Sequence, residues 1–301
     1  MSAAGPPQGA RPPGGERRAA PLGWDHASGT APTAPTLDDC ERLFAAHGGT
    51  DTGYLRLHWP RFRATKSLVE QTWRCAGGRV LDLGAHWLHQ SLLFALDGYR
   101  VTAADLPVTM DAPNVVALAR AQGIRLVGIA DLAAPRALRE LDDDAFDLVI
   151  LGEVIEHLAF NPVDLWREIH RVLVAGGRIV VTTPNCHALT RRHLQRARTW
   201  VGGGNIGVDE ILTTPTHGHH WKEYSRRELV RYFGLLSPDF EVRRALYIED
   251  DPARVEPRVR AVARALRRAI PPLRERLHVE VDLARKSRGI AIEPAWDRGG
   301  R

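Results

Sequence analysis

Acidic side chains follow three apolar runs in the first half of this 301-residue chain. Asp82 and Gly84 end the first run. Asp105 lies 21 residues after Gly84, at the end of the second run, and Asp131 follows the third. A carboxylate at the second position can accept both hydrogen bonds of a ribose diol, and an acidic group at the third can hold an adenine amino group. Glycine at 84 lets backbone approach a ligand closely, so the spacing predicts a site for a nucleotide-like ligand.

Histidines are the second group of residues that could do chemistry. The chain has 13 of them, and several lie where predicted strands end or in an irregular segment after residue 185. An imidazole with a pKa near neutrality can act as the general base that takes a proton from a substrate hydroxyl or amine. We favour His219 or His220 for this role, followed by His157.

A metal site is an alternative use of the same residue types. His86, His89 and the later histidines could hold a divalent ion together with Glu153. The sequence fixes no ligand geometry for such a site, so our prediction contains no metal ligand.

Short apolar runs alternate with amphipathic segments from residue 79 to residue 182. This pattern is typical of a parallel sheet with helices on both faces, and we predict a doubly wound, mostly parallel α/β core of the Rossmann-like type. The predicted strands cover 79–83, 100–104, 124–129, 146–151 and 178–182. The predicted helices cover 90–96, 112–121, 135–141 and 162–173.

The rest of the chain divides by composition. A helix capped by Asp38 or Asp39 and a second helix at 65–74 precede the core. After the core, we predict helices at 226–233 and 252–270 and strands at 240–248 and 278–284. The predicted segments are a disordered arm (1–36), N-terminal helices (37–76), the ligand-binding core (77–185), a lid and substrate insertion (186–225), the remainder of the core with an Arg-rich helix (226–285), and a tail (286–301).

Composition excludes several classes of protein. The chain is 44% hydrophobic, yet it contains no run of the roughly 18–20 apolar residues that a membrane helix needs, and its first 20 residues lack the apolar core of a secretory signal. Three scattered cysteines without a CxxC pair disfavour a disulfide framework. We therefore expect a cytoplasmic protein with no membrane partner.

The charge of +5 does not by itself indicate nucleic acid. The basic residues are 38 arginines and three lysines, and they form no clustered basic face with interleaved aromatics. Nucleic acid is therefore disfavoured as a partner. The Arg-rich segment at 252–270 has an apolar stripe typical of a packed amphipathic helix; as an alternative, it could mediate a homodimer or contact an acidic partner.

Several motifs together resemble those of class I S-adenosylmethionine-dependent methyltransferases that act on small molecules. The most specific is an E-x-x-EHL segment directly after the fourth strand. The segments that carry the resemblance are VLDLG at 80–84, AADLP at 103–107, FDLVILGEVIEHL at 146–158, RVLVAGGRIVVTTPN at 171–185 and KEYSRREL at 222–229.

The resemblance implies a role for each matching position. Asp82 and Gly84 would line the methionine part of S-adenosyl-L-methionine, with Asp105 at the ribose. Glu153 would lie beside the sulfonium or face the substrate, which makes it a catalytic candidate as well. The full set of implied cofactor-binding residues is Asp82, Gly84, Ala85, His86, Asp105, Leu106, Asp131, Leu132 and Glu153.

One motif departs from the family pattern D-x-G-x-G-x-G. Gly84 is followed by Ala85, His86, Trp87 and Leu88, so two of the three glycines are replaced. A Cβ at position 86 and the bulk of Trp87 narrow the space beside the cofactor.

The expected function is an enzyme that transfers a methyl group from S-adenosyl-L-methionine to an O, N or C centre of a small molecule, such as a sugar or a specialised metabolite. The replaced glycines keep two alternatives open. One is a non-catalytic methyltransferase-like scaffold protein, and the other is an enzyme of the same fold with a His-based, metal-containing centre.

Overall fold

The computed structural model describes residues 35–49, 51–73, 77–188, 206, 208–249 and 258–294. Three predicted segments extend beyond these ranges. Residues 1–34 of the predicted arm, residues 189–205 and 207 of the predicted lid, and residues 295–301 of the predicted tail lie outside the described residues. The division of the chain into those segments stays a prediction.

The strands of the described chain form one seven-stranded sheet. In chain order they are Arg79–Leu83 (β1), Arg100–Asp105 (β2), Arg125–Gly128 (β3), Phe146–Gly152 (β4), Leu173–Pro184 (β5), Phe240–Ile248 (β6) and Arg276–Leu283 (β7). Their spatial order is β3-β2-β1-β4-β5-β7-β6. β1 to β5 pair in parallel, whereas β7 is antiparallel to β5 and β6. The predicted doubly wound, mostly parallel α/β fold is confirmed.

Helices cover both faces of the sheet. They are Leu37–Ala46 (α1), Thr52–Thr72 (α2), His89–Leu96 (α3), Pro107–Met110 (α4), Pro113–Gln122 (α5), Val163–Val172 (α6), Val208–Thr213 (α7), Arg226–Leu236 (α8) and Arg258–Ala269 (α9). Single 3₁₀ turns lie at Ile155–His157, Thr216–Gly218 and Pro271–Leu273.

Helix ends show where local sequence rules worked and where they did not. Ser225 caps α8 in a capping box with Glu228, as predicted. The predicted caps of α1 are wrong, because Thr36 is the N-cap and Asp39 is the acidic partner of its capping box. α2 also begins at Thr52, about 13 residues before the predicted start, since the aromatic and basic segment ahead of residue 65 is itself helical.

The predicted helix at 135–141 is wrong. This segment forms successive turns, and Arg136 has a φ of 56°, outside the right-handed helical region. Its backbone bonds span three residues, from Arg139 N to the Arg136 carbonyl and from Leu141 N to the Leu138 carbonyl. The leucines are nevertheless buried, so the segment packs on the sheet without being a helix.

Alternate residues of the central strands feed two hydrophobic cores. In β1, Val80 packs in the core shared with α1, α2 and α3, whereas Leu81 and Leu83 pack in the core shared with α6 and α8. Trp166 of α6 is fully buried in that second core. A side chain of this size contributes roughly 2–3 kcal/mol by its burial. Because both faces are covered, the edge where the parallel strands end is where a ligand can enter.

Candidate functional site

A cleft of about 710 Å³ lies at the carboxyl ends of the parallel strands. The chain runs from β1 to β3 in one direction across the sheet and then returns to β4, so the cleft lies at the point where the strand order reverses. Its lining has two ends. We call Gly84, His86, Asp105, Leu106, Asp131 and Leu132 the β1–β3 end, and Glu153, Glu156, His157, His220, Arg61 and Arg276 the β4 end.

The turn after β1 requires glycine at position 84. Gly84 has a φ of +84°, and a Cβ there would lie 2.3 Å from Cγ2 of Val154. Its backbone N donates to the carbonyl of Ala104 at 2.8 Å, which keeps the turn against β2. A larger residue would meet both backbone strain and a clash.

Asp105 holds the unusual turn that replaces the missing glycines. His86 and Leu88 adopt left-handed φ values of 49° and 69°, which are strained for residues with side chains. The His86 backbone N donates to Asp105 Oδ2 at 2.7 Å, and the Leu106 backbone N donates to Asp105 Oδ1 at 2.6 Å. Sequence reasoning anticipated the narrowing at position 86 but not this compensation.

Two residues expected beside the ligand lie outside the main cleft. Asp82 and Ala85 line a smaller adjoining cavity of about 40 Å³. Asp82 is buried and accepts a hydrogen bond from Ser91 Oγ at 2.6 Å. Burial raises the pKa of Asp82 to about 6, because desolvation outweighs the bond from Ser91.

Glu153 lies between two arginines at the β4 end. Its Oε2 is 3.1 Å from Arg61 Nη1 of α2 and 2.7 Å from Arg276 Nε of β7. Its Oε1 is buried and accepts no hydrogen bond among the described residues. Glu153 also has a φ of 58°, which places it in a strained conformation directly after β4. Sequence reasoning missed both arginines, because neither belongs to a motif.

Glu156 is fully buried beside Glu153. Thr183 Oγ1 of β5 donates to Glu156 Oε2 at 2.9 Å. The expectation from sequence that Glu156 caps or pairs within its own helix is wrong, since its partner is a strand residue. Burial, together with the neighbouring Glu153 charge, raises the pKa of Glu156 to about 8.

The structure separates the three favoured histidines. His157 and His220 line the cleft with their ring centroids 4.7 Å apart. His219 is buried outside the cleft lining, and its Nε2 lies 3.0 Å from the carbonyl oxygen of Glu210. The arrangement therefore brings His157 and His220 to the site and leaves His219 holding the chain segment behind it.

His86 and His89 do not join these histidines. His89 is buried against Tyr54 and Phe62, and burial lowers its pKa to about 3. Its Nε2 lies 3.1 Å from the Asp51 carbonyl oxygen. Within the described parts of the chain, neither residue has its ring nitrogens grouped with ligand atoms of other residues for a metal ion.

A family comparison assigns the core. Residues 81–181 match the family model described as a methyltransferase domain. This segment is a methyltransferase domain. The match begins in β1 and ends in β5, so it contains the β1–β3 end of the cleft together with Glu153, Glu156 and His157.

Solved structures show the same fold as the methyltransferase domain and its surroundings. A chain of the complex between the Haloferax volcanii methyltransferase activator Trm112 and a methyltransferase is 17% identical, with a TM-score of 0.50 over 81% of this chain and 98% of that one. A SAM-dependent methyltransferase from Aquifex aeolicus is 12% identical, with a TM-score of 0.48 over 82% and 98% of the two chains. One from Archaeoglobus fulgidus is 17% identical, with a TM-score of 0.46 over 77% and 100%. No curated protein sequence matches this chain significantly.

The methyltransferase domain supports S-adenosyl-L-methionine as the cofactor, and the residues of the cleft fit it. The volume lies within the range of roughly 300–1,000 Å³ usual for such ligands. Asp105 has accepted two backbone hydrogen bonds, which leaves about half of the acceptor capacity of a carboxylate for a diol. The buried Oε1 of Glu153 provides a further acceptor at the opposite end.

The predicted absence of a membrane span agrees with the structure over the residues it describes. No helix there has both the length and the apolar character needed to cross a bilayer.

Proposed function

We propose that this protein transfers a methyl group from S-adenosyl-L-methionine to an O, N or C centre of a small molecule, such as a sugar or a specialised metabolite. The observation that carries this proposal is a single cleft that has acceptors suited to a nucleoside at its β1–β3 end and ionisable groups at its β4 end. The methyltransferase-domain match over residues 81–181 supports the reaction type.

The β1–β3 end would bind the cofactor. Asp105 would accept hydrogen bonds from the ribose hydroxyls, and Asp131 with Leu132 would flank the adenine. Gly84, Ala85, His86 and Asp82 would lie along the methionine part, with Leu106 between the two. Asp82 would act from the adjoining cavity rather than by direct contact in the main cleft.

The β4 end would position the acceptor and remove its proton. When bound, the cofactor supplies a methyl group whose bond to the sulfonium sulfur breaks as the acceptor atom forms its bond to carbon. His157 or His220 would take the acceptor proton, since both rings line the cleft. Glu153, held by Arg61 and Arg276, would orient the acceptor or lie beside the sulfonium.

Calorimetry with S-adenosyl-L-methionine and with its demethylated product tests the proposal first. We expect micromolar binding of both, followed by methyl transfer when a panel of small-molecule acceptors is screened with a methyl-labelled cofactor. Failure of a folded protein to bind either compound would overturn the proposal and favour the scaffold alternative.

A further inference from the structure

Three potential ligand atoms meet at the β4 end of the cleft. One carboxylate oxygen of Glu156 and one ring nitrogen each of His157 and His220 all lie within 4.8 Å of one another. Glu156 and His157 are adjacent in the 3₁₀ turn after β4, whereas His220 lies 63 residues later in the segment before α8. A spacing of this size is small enough for one ion to contact all three atoms.

Backbone contacts hold the distant histidine in place. The Trp221 backbone N donates to the Glu156 carbonyl at 2.7 Å. His157 Nδ1 lies 3.1 Å from the carbonyl oxygen of His219. The two sides of the cluster are therefore joined by bonds that do not use the ligand atoms themselves.

Neighbouring acceptors orient both imidazoles. The His219 carbonyl can accept a hydrogen only from a protonated His157 Nδ1, which gives Nε2 the lone pair. His220 Nδ1 lies 3.3 Å from Glu223 Oε1, and the same reasoning gives its Nε2 the lone pair. Metal-binding histidines commonly donate their second ring hydrogen to a carbonyl or a carboxylate in this way.

Glu156 adds an independent observation. The residue is fully buried, and Thr183 occupies Oε2, whereas Oε1 accepts no hydrogen bond among the described residues. Oε1 is the atom 3.9 Å from His157 Nε2. A buried carboxylate oxygen without a partner is costly unless something compensates for its lost hydration.

We propose that Glu156, His157 and His220 bind one divalent transition-metal ion at the β4 end of the cleft. Two imidazole nitrogens and one carboxylate oxygen suit Zn²⁺, Mn²⁺, Co²⁺ or Fe²⁺ better than Mg²⁺ or Ca²⁺, which prefer oxygen ligands alone. This assignment replaces our sequence prediction of no metal site. It also differs from the ligand set that the sequence suggested, because His86, His89 and Glu153 are not among the ligands.

The ion would give the acceptor its reactivity. Three protein ligands leave at least one coordination position, and all three residues line the cleft, so this position faces the acceptor. A hydroxyl oxygen bound there releases its proton more easily, which generates the nucleophile near neutral pH. This consequence rests on the proposed function and assigns the acceptor as a hydroxyl compound. His157 and His220 would then act through the ion instead of as bases.

Metal titration of the full-length protein tests the site without any methyl-transfer assay. After treatment with a chelator and its removal, Zn²⁺, Mn²⁺ and Co²⁺ are titrated separately by calorimetry, and bound Co²⁺ is followed by its visible absorption. We expect about one tight equivalent per chain and a Co²⁺ spectrum typical of mixed nitrogen and oxygen ligands.

Two variants and one control locate the ion. His220→Ala and Glu156→Gln should weaken binding by roughly 10–100-fold or more and abolish the Co²⁺ spectrum. His217→Ala is the matched control, since His217 is an exposed histidine that lines the same cleft outside the cluster. Thermal unfolding of each variant shows whether it is folded. Only weak binding by the parent chain, or binding unchanged in a folded His220→Ala protein, would overturn the metal site.

Separate titration with S-adenosyl-L-methionine distinguishes this inference from the proposed function. Metal binding without cofactor binding would overturn the methyltransferase proposal and leave the metal site standing. Cofactor binding by a protein that takes up no tight metal would have the opposite meaning.

Discussion

The two ends of the cleft are built in different ways. The β1–β3 end consists of residues at strand ends and in the turns that follow them, and the sheet topology places them together. The β4 end combines Glu153 and Glu156 with Arg61 of α2, Arg276 of β7 and His220 of the segment before α8. The comparison shows that one functional edge can contain a part that is local in sequence and a part assembled from residues far apart in the chain.

This difference predicts how the two ends respond to substitution. Residues of the β1–β3 end should act through the conformation of one turn. Residues of the β4 end should act as coupled groups, because each charge there is balanced by others.

Gly84→Ala should have the largest effect. The added Cβ meets Val154 at 2.3 Å and is forced into a φ of +84°, so we expect a loss of about 3–5 kcal/mol in the free energy of unfolding and loss of cofactor binding. Urea denaturation and calorimetry measure the two effects.

Gly123→Ala is the control for backbone strain alone. Gly123 also has a positive φ of +66°, but a Cβ there meets nothing within 4 Å. We expect a cost of about 1–2 kcal/mol and unchanged cofactor binding. Equal costs for the two substitutions would show that Val154 does not close on the turn.

Glu153→Gln should come next. The change leaves Arg61 and Arg276, with side chains only 5% and 19% exposed, without their shared carboxylate. Breaking a mostly buried charge pair costs about 2–4 kcal/mol, which urea denaturation detects.

A double-mutant cycle with Arg276→Gln tests whether the β4 end is coupled. We expect the double variant to be less destabilised than the sum of the two single variants, with a coupling of about 1–3 kcal/mol. Additive effects would contradict the assembled character of this end.

The same difference explains how much the sequence could predict. Gly84, Asp105 and Asp131 were predicted because period-two burial defines the strands and parallel strands end at one edge. Arg61, Arg276 and Thr183 carry no local signal, since their contacts with Glu153 and Glu156 exist only after α2, β5 and β7 have packed.

His219 and His220 show the limit most clearly. They are neighbours in sequence with the same side chain, yet one is buried against Glu210 and the other lines the cleft. Which of two adjacent histidines faces a site depends on the backbone of a segment with no regular periodicity. The turns at 135–141 were mispredicted for a related reason, because Arg136 takes a positive φ that its residue type does not signal.

Asp82→Asn sharpens the comparison at the base of the β1–β3 end. The pKa of Asp82 in the folded protein, about 6, lies above its ordinary value of 3.8, so the folded state keeps this proton to higher pH than the unfolded state. The associated stability is present in full below about pH 4 and is lost as the pH rises through about 6. At about pH 7 we therefore expect Asp82→Asn to be more stable than the parent by about 2–3 kcal/mol, and at about pH 4 to be nearly equal. Urea denaturation across this range measures the difference, and a pH-independent difference would show that Asp82 is ionised throughout.

Asp105→Ala should have the smallest effect on stability and a specific effect on binding. Asp105 is half-buried, so loss of its acceptors should weaken cofactor binding by about 1–2 kcal/mol. The turn at His86 should loosen at the same time, because its backbone N loses the 2.7 Å bond to Oδ2. Calorimetry measures the first effect, and hydrogen exchange at His86 and Leu106 measures the second. Asp111→Ala, an exposed position just beyond α4, is the control and should change neither. Unchanged affinity in Asp105→Ala would remove this carboxylate from the cofactor site and confine it to the turn, whereas weaker binding with unchanged exchange would assign it to the ribose alone.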